Sequence, residues 1–83
     1  MNKTELAKLL EDELVKEYGH LLNGEAIRKT LAYPTNGALQ QAISRDLLPI
    51  PVFNLENRKG KFALAKDVAA WLAEERFKAE EFK

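Results

Sequence analysis

Gln40, Gln41, Ser44 and Arg45 fall at helical spacing on the side opposite Leu39, Ala42 and Ile43. Glutamine amides pair with adenine edges and arginine takes guanine or a phosphate, so this polar face suits the reading of a duplex. Thr35 and Asn36 stand just ahead, as candidate helix caps and as members of the same contact set. Arg28 and Lys29 precede them, and Arg58, Lys59 and Lys61 follow; all five are expected to approach phosphates. If six cations neutralised as many phosphates, affinity would fall roughly a thousandfold or more between about 50 and 200 mM salt.

Any one of these groups, taken alone, reads as ordinary solvated surface. Their clustering changes the weighing. The 83-residue chain is formally neutral, yet residues 23 to 66 hold seven Lys/Arg against three acids, a net +4. Residues 1 to 22 carry three cations against five acids, and residues 67 to 83 the same, so each flank is at −2. A basic centre lies between acidic ends, which is the distribution expected of a chain with a local polyanion-binding face.

Bond-making chemistry is thinly supplied. The chain has one His (His20), one Ser (Ser44) and no Cys. Glu11 and Asp12 sit on a charged helix surface, where plain solvation outweighs a tuned acid–base pair. Gly19, Gly24, Gly37 and Gly60 are isolated and form no phosphate-binding loop. Trp71 shares helical spacing with Val68 and Leu72 and reads as core rather than as a base-stacking platform. Neither catalysis nor a cofactor or metal is expected.

The elements that must hold the polar face in place follow from capping and periodicity. Thr4 is a cap candidate for an amphipathic helix over 5–18 carrying Leu6, Leu9, Leu10, Leu14 and Tyr18, ended by Gly19. Asn23 caps the next helix, which Pro34 stops at Ala32 or Tyr33. A third helix covers about 36–45, so that 23–46 forms a helix pair around a turn. From Pro49 to Leu64 an extended edge segment, a tip Asn57-Arg58-Lys59-Gly60 and a return strand read as a hairpin, with Gly60 supplying positive φ. The last helix, over 66–81, carries two apolar stripes. Val68, Trp71 and Leu72 face the core, and Ala69, Ala73 and Phe77 face helix 5–18 or another subunit.

Segment 31–72 resembles the excisionase-like and AlpA-like small winged helix-turn-helix proteins of phages and plasmids, relatives of the MerR-type DNA-binding fold. The likeness rests on Leu31-Ala32 at the turn, Leu39 to Ile43, Leu48-Pro49-Ile50-Pro51, Arg58-Lys59-Gly60-Lys61-Phe62 and Asp67-Val68-Ala69-Ala70-Trp71-Leu72. The last two elements are also similar to those of pyocin activator proteins. The chain departs from the pattern where Ala32 and Asp46 replace common glycines and in a turn one residue longer. The resemblance implies a mainly α fold with a small β-hairpin, to which the N-terminal helix is an addition. It further implies duplex DNA as partner, read in the major groove by helix 36–45 and along the backbone or minor groove by wing 57–61.

The implied role is transcriptional regulation in a mobile element. The rivals are an excisionase-type factor that bends DNA beside a recombinase, and a protein–protein adaptor on the same scaffold. A homodimer through helices 5–18 and 66–81 is a further expectation, because a ten-residue reader covers few base pairs. No apolar run approaches the roughly 18 residues needed to span a bilayer, and the charged N-terminus does not suit a signal peptide, so a cytoplasmic protein without a membrane partner is expected.

Overall fold

The structure is a computed structural model that describes residues 1–81. It is mainly helical with one small antiparallel sheet, in the order α1 (Lys3–Tyr18), β1 (Leu21–Leu22), α2 (Gly24–Thr30), α3 (Asn36–Ser44), β2 (Ala63–Leu64) and α4 (Ala65–Glu81). The N-cap of α1 is Asn2 rather than Thr4. Asn2 and Glu5 form a capping box in which Glu5 N donates to Asn2 Oδ1 at 2.8 Å and Asn2 N donates to Glu5 Oε1 at 3.3 Å. Two backbone donors are thereby satisfied, whereas a Thr4 cap would satisfy one.

Helices α2 and α3 begin at the expected caps, with Asn23 Oδ1 accepting from Ala26 N and Thr35 Oγ1 from Ala38 N, both at 3.0 Å. They also end alike. Tyr33 N bonds Arg28 O at 3.0 Å and Ala32 N bonds Lys29 O at 3.3 Å; one helix later, Leu47 N bonds Ala42 O at 2.8 Å and Asp46 N bonds Ile43 O at 3.1 Å. Each is a Schellman cap, whose pivotal residue must take a left-handed conformation. Ala32 (φ 62°) and Asp46 (φ 55°) do so without being glycine.

The expected hairpin over 49–64 is reduced to one bridge. Phe53 N donates to Phe62 O at 2.9 Å and Phe62 N to Phe53 O at 2.8 Å. Continuing that ladder would set Pro51 opposite Leu64, and proline has no N–H to give. The ladder stops there. The return segment bonds instead on its other edge, where β2 pairs with β1 in the register Leu21↔Leu64 and Leu22↔Ala63. This pairing was not expected, since a two-residue strand shows no periodicity.

One core gathers Leu22, Ala26, Ile27, Leu39, Ile50, Ala63, Ala65 and Val68, with Tyr18, Tyr33, Trp71 and Leu72 packed partly against it. Trp71 is therefore part of the packing, as its spacing suggests. Helix α1 lies antiparallel along α4: Lys3 Nζ reaches Glu74 at 3.7 Å at one end, and Ala65 N bonds His20 O at 2.8 Å at the other. This is the largest contact between two elements, and it buries Ala69 and Ala73 of α4. The stripe that could have faced another subunit is occupied by α1. Among the described residues, no helix is long and apolar enough to cross a membrane.

Candidate nucleic-acid interface

Helix α3 buries Leu39 and Ala42, and it leaves Asn36, Gly37, Gln40, Gln41 and Ser44 exposed, with Arg45 at its C-cap exposed too. These positions form two rows, Asn36–Gln40–Ser44 and Gly37–Gln41–Arg45, each rising by four residues. The local chemistry differs along them. Thr35 spends one lone pair on its cap bond and keeps its hydroxyl proton free to donate. Ser44 donates to Gln41 O at 3.0 Å and so meets a ligand as an acceptor. Gln40 Nε2 makes only a long 3.5 Å contact with Asn36 Oδ1. Gln41 and Arg45 have no side-chain partner among the described residues.

The loop after the Phe53–Phe62 bridge is shaped by short-range bonds. Arg58 N closes a turn on Leu55 O at 3.2 Å, with Asn57 (φ 62°) and Gly60 (φ 87°) both left-handed. Asn54 spans the two sides, donating to Gly60 O at 3.2 Å and accepting from Lys61 Nζ at 2.8 Å. Arg58 and Lys59 remain exposed at the tip, while Lys61 is half-buried. The bracing role of Asn54 has no signature in the sequence.

Arg28 differs from the other candidate cations. Its guanidinium donates to Glu25 Oε1 at 2.6 Å and to Tyr33 O at 3.1 Å, and only 24% of its side chain is exposed. The ion pair holds the Glu25 carboxyl below its ordinary pKa and Arg28 above its own, in each case chiefly through the shared hydrogen bond. Arg28 braces the end of α2. Lys29 beside it is exposed.

Ion pairing divides the described cations into two groups. Outside the basic centre, Lys3, Lys8, Lys16, Arg76 and Lys78 each meet an acid within 4 Å. Inside it, Arg28 is the only cation so paired among the described residues, which leaves Lys29, Arg45, Arg58, Lys59, Lys61 and Lys66 without a carboxylate within 4 Å. Lys66 was not among the candidate contacts, although it is exposed at the start of α4. Among the described residues, no group of three or more His, Asp or Glu could hold a metal ion.

A cleft of about 210 Å³ lies between the tip loop and the α1–α2 junction, lined by Tyr18, Leu21, Asn23, Ala26, Arg58 and Phe62. No acid lines it. Compared with protein-family models, with curated proteins and with solved structures, the chain finds no match in any of the three.

Proposed function

We propose that this chain binds duplex DNA as a sequence-preferring regulator of a mobile element, using a winged helix-turn-helix built from α2, α3 and the 53–62 loop. The observation that carries this reading is the uneven ion pairing, since the cations around α3 and the tip make no ion pair within 4 Å, whereas every described cation of the flanks makes one. A merely soluble surface has no reason to segregate its charges in this way. Phosphates would supply the missing counter-charge, and release of condensed counterions would drive the association.

In this arrangement α3 is the reader. Gln40 and Gln41 present amides to base edges, Arg45 takes guanine or a phosphate, and Asn36, Thr35 and Ser44 flank them. Lys29, Arg58, Lys59 and Lys61 hold the backbone and set the register. Arg28 serves the helix end that positions α3 and contributes to binding through that geometry. The adaptor alternative loses one of its surfaces, because the Ala69 and Ala73 stripe of α4 is already covered by α1.

The test is selection from a pool of random duplexes at low salt, followed by amide-shift mapping on the enriched sequence. Enrichment of one motif, with shifts concentrated on Thr35 to Arg45 and Arg58 to Lys61, is the expected result. Failure to retain any duplex at low salt would overturn the reading.

A further inference from the structure

The cleft beneath the tip loop joins three side chains from separate parts of the chain. Tyr18 closes α1, Asn23 caps α2 and Arg58 sits in the tip. Each carries donors that no acceptor in the described structure uses. Asn23 accepts from Ala26 N through Oδ1, which leaves its amide N–H groups without an acceptor, and among the described residues neither the Tyr18 hydroxyl nor the Arg58 guanidinium has a hydrogen-bond partner. The other lining groups, Leu21, Ala26 and Phe62, are apolar, so the cleft offers donors without a competing carboxylate. At about 210 Å³ it has room for several waters at roughly 30 Å³ each, and hence for one tetrahedral anion.

We propose that one backbone phosphate of the duplex seats in this cleft, held by Arg58, the Tyr18 hydroxyl and the Asn23 amide. The inference rests on the duplex-binding reading and adds to it a function for α1. Through Tyr18 the N-terminal helix becomes part of the DNA grip instead of a scaffold alone. Arg58 is thereby separated in role from Lys59, which has no such cleft around it.

Three variants isolate the site. Tyr18→Phe removes the hydroxyl and keeps the ring that packs on the core. Asn23→Asp keeps an oxygen for the α2 cap, replaces the donor and brings in a negative charge. Arg58→Ala removes the guanidinium from an exposed position. In fluorescence-anisotropy titrations, Tyr18→Phe should weaken binding about three- to tenfold without altering the salt slope, and Asn23→Asp should weaken it further. Arg58→Ala should lower the slope by about one unit.

Duplexes carrying a single neutral methylphosphonate should reveal one position that weakens the wild type, weakens Tyr18→Phe less and is nearly silent in Arg58→Ala. If Tyr18→Phe and Asn23→Asp bind as the wild type does while Lys59→Ala and Gln41→Ala weaken binding, the cleft assignment is overturned and the duplex-binding reading stands. If the wild type retains no duplex, both fall together.

Discussion

Ala32 and Asp46 occupy the same station in two successive Schellman caps, with left-handed φ of 62° and 55° at the ends of α2 and α3. The repeated cap sets how the chain leaves each helix. Neither residue is glycine, and the two differ in what their side chains do there. Alanine has nothing to offset the strain, while aspartate is a residue type that adopts this conformation more readily, and it brings a charge next to Arg45.

Replacing Ala32 by glycine should therefore stabilise the protein. Left-handed backbone costs an L-residue about 1–2 kcal/mol, and glycine gives back about 0.4–1 kcal/mol through a freer unfolded chain. The side chain is exposed and loses no packing. A net gain of about 0.5–1 kcal/mol in urea denaturation is expected, with a rise in Tm of roughly 3–6 °C. A loss of stability would show that the Ala32 methyl makes a contribution its exposure hides.

Asp46→Asn tests charge at constant shape. Asparagine also accepts the left-handed cap, so stability should change by less than about 0.5 kcal/mol. If α3 reads the duplex as proposed, removing the carboxylate beside it should tighten binding several-fold at low salt, an effect that fades as salt screens it. Unchanged affinity in a titration at low ionic strength would place Asp46 away from the phosphates.

The Glu25–Arg28 pair predicts a pH signature. Because the folded pKa of Glu25 is lowered, its contribution is present above the unfolded carboxylate value, near about 4.3, and is lost as pH falls through the lower folded value. Glu25→Gln should be less stable than the wild type at neutral pH, and the gap should close in acid. Urea midpoints at about pH 7 and about pH 3 check this. A gap that persists in acid would mean the substitution acts through something other than ionisation.

Salt dependence gives the count of phosphates. With Arg28 engaged inside the protein, Lys29, Arg45, Arg58, Lys59 and Lys61 remain from the candidate set, and five contacts give a log–log slope of about −4.5. Joint replacement of Arg58 and Lys59 by alanine should bring the slope down in magnitude by nearly ~2. A slope unchanged by that pair would remove the tip from the interface.

Local chemistry was legible in the residues alone. Asn23 and Thr35 cap their helices, Gly19 ends α1, Gly60 turns with positive φ, and the inward row of α3 is the apolar one, because each depends on a residue and its near neighbours. Other features depend on groups far apart in sequence. Pairing of Leu21–Leu22 with Ala63–Leu64, the single bridge left by Pro51 and the burial of the Ala69–Ala73 stripe under α1 required the whole chain to close on itself. Most ion pairs among the described residues are local, three or four residues apart on one helix, as Glu25–Arg28 is, whereas Lys3–Glu74 required α1 and α4 to pack, because its partners lie on different helices.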